Sequence, residues 1–524
     1  MSDEMSETES ATESPALAGD TRASRLWRSI WRTHFYAGWI AAPILVLLAV
    51  SGLVILYTEP IQARVHDDLV NVDPRGEARS FEDQRAAVTD AHPDLDLVSV
   101  TPPKTASMST RFSTSEPNGT FVDVYVDPYT AEVLGRQKAE DDVVGLANRL
   151  HGNLNNEAVT VPVPALPGIF GDGPAFADAA VGDLVVEVFA GWGLVLAFTG
   201  AYLWWPRKQG TGKPMFVPRP SRLARPGRAR WRDLHAIAGT VLAFLLVFFI
   251  TTGLPWSAAW GANWAYVSSE LTPNKATSFW EWEGPASTQP VTGDLDRAGP
   301  RIPWASSGDA IPSSGGGAAH HGGDDAGGDA AEGTAAKAEP VGLDLVVNAA
   351  TEERMVPGYT INLPVDTLDD PENPAYGSFV IVNPWPTRMH DQGALYLDQF
   401  SGKTLARSTP STWGKLQWMT EWGIETHMGT QYGLFTRVLM TGACLLVLWN
   451  VTTAAVMWNK RRRQGTLGLP RRPVDVRLQR VLGITALVLA VVYPFWGLSL
   501  AVVLLVDRFV VRRVPRLRAA FGMR

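Results

Sequence analysis

Trp31-Arg32-Thr33-His34-Phe35-Tyr36-Ala37-Gly38 ends a basic stretch and opens an apolar run that continues to Tyr57. About 20 residues with few charges are enough to cross the roughly 30 Å hydrocarbon core of a bilayer, so this run reads as a membrane span with a histidine at its charged end. Three further runs meet the same condition, from Leu184 to Trp205, from Leu234 to Trp256 and from Val438 to Trp458. A fifth, Val481 to Val506, is interrupted at Pro494 and reads as one kinked helix or as a hairpin of two short ones. The apolar content of the 524-residue chain is an ordinary 46%, so the spans show only locally. The fold class expected is a membrane all-α bundle of four long spans plus that C-terminal element, with two small extracytoplasmic α+β domains.

Charge sets the expected orientation. Arg22, Arg25, Arg28 and Arg32 precede the first span, the loop from Pro206 to Arg232 holds nine Lys or Arg and no acid, and Lys460 to Arg477 is again basic. Lys and Arg beside span ends mark the cytoplasmic side, which places the N-terminus in the cytoplasm and the protein in the cell membrane as a multi-pass chain. The two long connections are acidic or mixed and fall on the outer side. The basic tail, Arg508 to Arg518, favours the hairpin and returns the C-terminus inward. The first span lacks a small-residue cleavage site after it and reads as an uncleaved anchor. These basic loops express topology and attraction to membrane lipid, and nucleic-acid binding is not expected.

The outer connections carry a repeat. After a helical stretch near Phe81 to Ala91 come strand-like runs near Leu95 to Val100 and Ser107 to Ser113, then Thr120-Phe121-Val122-Asp123-Val124-Tyr125-Val126 with a turn at Asp127-Pro128-Tyr129-Thr130. Leu395-Tyr396-Leu397-Asp398-Gln399-Phe400-Ser401-Gly402-Lys403 lines up with Val124-Tyr125-Val126-Asp127-Pro128-Tyr129-Thr130-Ala131-Glu132. Two copies of one strand-turn-strand module are therefore expected. The organisation is a disordered tail over 1–24, a membrane helix over 25–58, an outer domain over 59–140, an outer segment carrying His151 over 141–183, and two membrane helices with their basic loop over 184–256. An outer segment over 257–312 and a Gly/Ala/Asp/His-rich linker over 313–340 follow, then a second outer domain over 341–407, an outer helix and fourth membrane helix over 408–458, and a basic loop, membrane hairpin and tail over 459–524.

Four histidines recur at span ends. His34 and His235 open spans at the basic boundary, and each is followed four residues later by a glycine, Gly38 and Gly239, on the same helix face. His151 and His427 lie at the outer side, His151 in a segment that must fold back onto the membrane. Iron in a porphyrin accepts one imidazole on each face, and helical bundles house such cofactors with ligands from two helices. The pairs His34 with His235 and His151 with His427 are expected to hold two b-type haems as iron axial ligands. With one cysteine, Cys444, an intrachain disulfide and a Cys-ligated cluster are excluded. Among the 20 tryptophans, Trp418 and Trp422 with Glu425 lead into His427 and would line an outer site; the others read mainly as interfacial anchors.

Together with Leu150-His151-Gly152-Asn153-Leu154, Gly200-Ala201-Tyr202-Leu203-Trp204-Trp205-Pro206-Arg207, Asp233-Leu234-His235, His427-Met428-Gly429-Thr430 and the doubled turn, the opening stretch resembles the PepSY-associated transmembrane family, from about residue 25 to 510. That resemblance implies PepSY domains in the outer connections, an iron-regulated inner-membrane setting, and, as in ferric-siderophore reductases of the family, two haems ligated by His34, His151, His235 and His427. It implies an oxidoreductase that reduces a ferric chelate or siderophore on the outer side with cytoplasmic electrons. The chain departs from fused members in having no recognisable flavodoxin or flavin-reductase domain, so its electron donor would be a separate molecule. The competing expectation is a cofactor-free scaffold or regulator whose PepSY-like modules bind a peptide, a protease or a transporter. A third is a metal-handling accessory role for His320 and His321, which stand before Asp324 and Asp325 in the linker.

Overall fold

The computed structural model describes residues 22–138, 141–171, 173–205, 227–271, 285–288, 339–368, 375–383, 386–462, 467–469, 476–521 and 523. Nearly all of the expected N-terminal tail, most of the basic loop after Trp205, and nearly all of the linker, with His320 and His321, lie outside the described residues. In chain order the elements used below are α1 (Arg22–Ile55), α2 (Phe81–Ala91), β1 (Asp96–Thr101), β2 (Thr110–Ser115), β3 (Phe121–Val126), β4 (Val133–Lys138), α3 (Val143–Asn153), β5 (Thr160–Pro164) and β6 (Phe176–Ala180). Then come α4 (Val181–Trp204), α5 (Arg228–Gly253), α6 (Ala258–Leu271), α7 (Leu343–Glu352), β7 (Thr360–Asn362), β8 (Ser378–Asn383), β9 (Gly393–Asp398), β10 (Thr404–Ser408), α8 (Lys415–His427), α9 (Leu434–Arg461), α10 (Val476–Val492) and α11 (Pro494–Val506). The chain divides into two compact units, one of residues 1–53, 149–264 and 441–524, the other of 54–148 and 265–440.

The first unit is a helical bundle. Five helices among the described residues are long and apolar enough to cross a membrane: Arg25–Ile55, Val181–Trp204, Arg228–Trp256, Leu434–Arg461 and Pro494–Val511. The chain is a multi-pass membrane protein. Small residues let its helices approach: Ala37 and Ala41 of α1 are fully buried among Trp192, Leu242, Leu246 and Ile250. A Cβ at Gly191 would stand 2.7 Å from the Trp496 ring, so this glycine is what admits that indole between α4 and α11. Trp192 donates to Ser499 at 3.1 Å beside it.

Between kink and hairpin, the last region resolves as two arms. Pro494 lacks the N–H to continue α10 and the chain bends so sharply that a Cβ at Gly497 would lie 2.5 Å from that of Ala490. Beyond α11 the chain returns to the basic end of α1, where Tyr36 stacks on Phe521 at 6.0 Å and the Arg32 guanidinium donates to Tyr36 Oη at 2.6 Å and to the Phe521 carbonyl at 3.4 Å. Arg461, at the end of α9, lies over Trp31 at 4.1 Å. The chain beyond α11 and the end of α9 thus meet at the same, basic end of α1.

The second unit holds both repeats. Their strands form one eight-stranded antiparallel sheet in the order β10-β9-β8-β7-β1-β2-β3-β4, which reads outward from a β1–β7 seam in the same sequence on both sides. At the seam Val100 faces Ile361 in register, both fully buried, and Thr101 and Thr360 share a hydroxyl hydrogen bond of 2.9 Å. One face of the sheet buries Phe112, Val124, Ile381, Leu395 and Leu397 against Val88 of α2 and Leu343, Val346 and Ala350 of α7. Fully burying one such side chain stabilises by about 1.5–3 kcal/mol.

The repeat extends to the helix caps. Asp344 of α7 accepts the Phe81 N–H at 2.8 Å and the Glu82 N–H at 3.3 Å, while Glu82 of α2 accepts the Leu343 N–H at 2.6 Å. Each helix thus satisfies the orphan donors at the start of the other, where a carboxylate also meets the positive end of the helix dipole. The two turns match bond for bond: Ala131 N–H donates to Asp127 O and Gly402 N–H to Asp398 O, both at 2.9 Å. Ala131 and Gly402 share a left-handed backbone at φ 58° and 67°.

Candidate functional site

The helical unit brings His34 and His235 together. His34 projects from α1 and His235 from α5, and their ring centroids stand 6.4 Å apart with planes at 79°. That spacing and tilt fall within the range of an edge-to-face ring pair, and both residues are half-buried. With metal–imidazole bonds of about 2 Å and roughly 1 Å from each nitrogen to its ring centre, two imidazoles on opposite faces of one metal have centroids about 6 Å apart. The observed spacing is close to that value, so the two rings could reach one metal between them.

Each ring is anchored at the nitrogen nearer its backbone. His34 Nδ1 lies 2.9 Å from Thr199 Oγ1 of α4, and that hydroxyl already donates to the Val195 carbonyl at 2.5 Å. A hydroxyl has one proton, so Thr199 accepts from His34 and the imidazole carries its hydrogen on Nδ1. His235 Nδ1 lies 3.2 Å from the Asn450 carbonyl and 3.0 Å from Thr453 Oγ1, both in α9. A carbonyl only accepts, so here too Nδ1 is the donor. With Nδ1 donating, a neutral ring keeps its lone pair on Nε2, the form a metal binds, and the Nδ1 bond fixes ring orientation.

The expected fold-back of the His151 segment is present. His151, near the end of α3, places Nδ1 3.0 Å from Ser51 Oγ of α1, and Ser51 donates to the Leu47 carbonyl at 2.9 Å. Burial holds the His151 imidazole below its ordinary value, against the opposing pull of its hydrogen bond to the Leu48 carbonyl, which keeps the ring neutral. His427 closes α8 and is half-buried, followed by Gly429 with φ +74°. His151 belongs to the helical unit and His427 to the sheet-bearing one.

Around His427 the residues expected to line an outer site separate. Trp418 is 42% exposed, and Trp422 donates its indole N–H to Tyr432 Oη at 3.2 Å. Glu425 is fully buried and so lines no open surface. Burial raises its carboxyl to about 7, Glu421 adds to that, and the Thr430 hydroxyl, which donates to Glu425, works against it. Glu421 itself accepts from Gln392 at 3.3 Å.

The glycines next to the rings differ from those that helical spacing singles out. A Cβ at Gly38 would meet Leu196 at an ordinary 3.7 Å, and one at Gly239 would meet Asn450 Oδ1 at 3.0 Å. It is Gly200 and Gly52 that lie against imidazoles: a Cβ there would stand 3.0 Å from His34 Cε1 and 3.2 Å from His151 Cε1. Sequence reading also missed Thr199, Ser51 and Thr453. For Thr199 and Ser51 the signal was a hydroxyl directly before a glycine, Thr199-Gly200 and Ser51-Gly52, inside otherwise apolar spans; Thr453 precedes an alanine and had none.

No curated protein matches the sequence. A family profile described as PepSY-associated TM region matches residues 31–461, a stretch that takes in most of α1 with His34, both repeats, His151, His235, His427 and the whole of α9. Covering far more than half of the chain, that match shows that this protein belongs to the PepSY-associated TM region family.

Proposed function

We propose that this protein is a transmembrane electron-transfer protein that holds two b-type haems and reduces an extracytoplasmic ferric chelate, of the siderophore kind, with electrons from a cytoplasmic donor. The observation that carries this reading is the His34–His235 pair: two imidazoles from two helices, 6.4 Å apart, each held by its Nδ1, so that Nε2 would be the atom to bind iron. His34 and His235 would hold one haem near the basic, cytoplasmic end. His151 and His427 would hold the other, with the repeats, read as PepSY domains, on the outer side.

Held by these imidazoles, an iron porphyrin would supply one-electron transfer. The chain's own residues do the rest. Thr199 and Thr453 hold the two rings in the metal-binding tautomer, and the apolar faces of α1, α4 and α5 around Ala37, Leu242 and Leu246 exclude water from the bundle. Ferric iron prefers hard oxygen ligands more strongly than ferrous iron does, so one-electron reduction loosens an oxygen chelate and frees the metal.

The test is a stopped-flow mixing of anaerobically reduced, purified protein with a ferric hydroxamate. The low-spin Soret band of the reduced protein reverts to its oxidised position as ferrous iron appears in a ferrozine trap. A red protein that stays reduced in the presence of ferric hydroxamate and ferric catecholate refutes the reductase reading, and a colourless one leaves the scaffold alternative.

A further inference from the structure

Ser and Thr in apolar helices commonly donate to the carbonyl three or four residues back, so the bonds from Thr199 to Val195, Ser51 to Leu47 and Thr453 to Asn450 are unremarkable by themselves. What needs a reason is the second partner. In all three cases it is the Nδ1 of a histidine from a different helix, at 2.9, 3.0 and 3.0 Å. In two of the three the next residue is a glycine whose missing side chain leaves room for that imidazole's edge, with 3.0 Å at Gly200 and 3.2 Å at Gly52 to a hypothetical Cβ.

We infer that Thr199-Gly200 and Ser51-Gly52, with Thr453 serving His235, are positioning sites that fix the tautomer and ring plane of three histidines and so set the reduction potential of the iron those histidines hold. The effect on the potential rests on the proposed haem reading; the effect on the tautomer does not. A hydroxyl accepting from Nδ1–H makes Nε2 a stronger donor, which favours ferric over ferrous iron. Loss of the hydroxyl therefore raises the potential. Thr199 and Thr453 act on the two ligands of one pair, so their removal moves one haem in the same direction, whereas removal of Ser51 moves the other.

The experiment is a potentiometric titration of haem-loaded wild type, Thr199→Val, Thr199→Ser, Thr453→Val and Ser51→Ala. Thr199→Val and Thr453→Val each lower the ferric:ferrous ratio of one haem about tenfold at fixed potential, an upward shift of about 59 mV for a one-electron couple. Thr199→Ser keeps the wild-type value, and Ser51→Ala moves only the second haem. Thr199→Val that loses its haem while Thr199→Ser keeps it supports the inference equally. An unchanged potential in fully loaded Thr199→Val, or Thr199→Ser behaving as Thr199→Val, overturns it. If the wild type binds no haem the functional proposal fails on its own, and nitrogen-15 NMR of histidine-labelled, haem-free protein still decides the tautomer. There His34 carries its proton on Nδ1 in the wild type; a proton on Nε2 overturns the inference.

Discussion

Gly200→Ala and Gly38→Ala make a pair of otherwise similar changes with opposite expected results. An alanine Cβ at Gly38 would rest 3.7 Å from Leu196, an ordinary contact, whereas at Gly200 it would stand 3.0 Å from His34 Cε1. Carbon contacts are most favourable at about 3.5–4.0 Å, so the His34 ring must retreat by roughly half an ångström. Its Nδ1 bond to Thr199, 2.9 Å in the native protein, then stretches beyond the about 3.2 Å limit of a sound N–H···O bond. Loss of that bond costs about 1 kcal/mol, and loss of a ligand's supporting bond typically lowers metal affinity about 10- to 100-fold. Alanine is the better helix former by about 1 kcal/mol, which offsets the strain, so the fold survives while the site weakens. Haem retention measured by absorbance during dilution into haem-scavenging apomyoglobin separates the two. Gly200→Ala is expected to lose haem at least about tenfold faster than wild type, and Gly38→Ala to match wild type. Equal retention in both variants would refute the reasoning that Gly200, and not the glycine one turn after His34, makes room for the ring.

Asp344→Ala removes two N–H acceptors from the start of α2 and Glu82→Ala one from the start of α7, so each destabilises the sheet-bearing unit by about 1 kcal/mol, Asp344→Ala by more, as read from hydrogen exchange at α2 and α7 in the intact protein. Gly191→Ala, which would push a Cβ to 2.7 Å from Trp496, is expected to cost about 1–3 kcal/mol in thermal stability, whereas Gly442→Ala, with nothing within 4 Å, is near neutral. Although burial works to raise them, Asp127 and Asp398 are both held below the usual carboxylate range, Asp127 by the Arg75 guanidinium at 2.6 Å and the Tyr129 and Thr130 N–H groups, and Asp398 by the N–H groups of Ser401, Thr288 and Phe400. A depressed carboxyl contributes stability that is complete above its ordinary value and is lost as pH falls through the lowered one. Hydrogen exchange at β3 and β9, corrected for intrinsic rates, therefore rises in acid below about pH 4, and Asp127→Asn flattens that rise at β3.

Much of this architecture was legible in the chain. Long apolar runs located the spans because a bilayer demands length and hydropathy from each segment alone. The alignment of Asp127 with Asp398 also placed Ala131 opposite Gly402, and those two residues share the same left-handed backbone. The break at Pro494 was visible because proline cannot donate, although the return of the chain beyond α11 to the basic end of α1 needed the contacts of Phe521 with Arg32 and Tyr36. The seam that fuses the repeats into one sheet left no local trace: β7 is only three residues long and pairs with a strand more than 250 residues earlier. The imidazole anchors were hidden for a different reason. Thr199, Ser51 and Thr453 read as ordinary small polar residues of apolar helices, and only the packing of α1 against α3 and α4, and of α5 against α9, reveals which nitrogen each one meets.

The haem content of four single variants tests the central claim most directly. Pyridine haemochromogen assay of purified wild type is expected to give two haems per chain, with one remaining in each of His34→Ala, His235→Ala, His151→Ala and His427→Ala, and one also in the His34→Ala/His235→Ala double variant, since those two side chains serve the same iron. A double variant that retains no haem, or a His34→Ala protein that retains both, would contradict the pairing of His34 with His235.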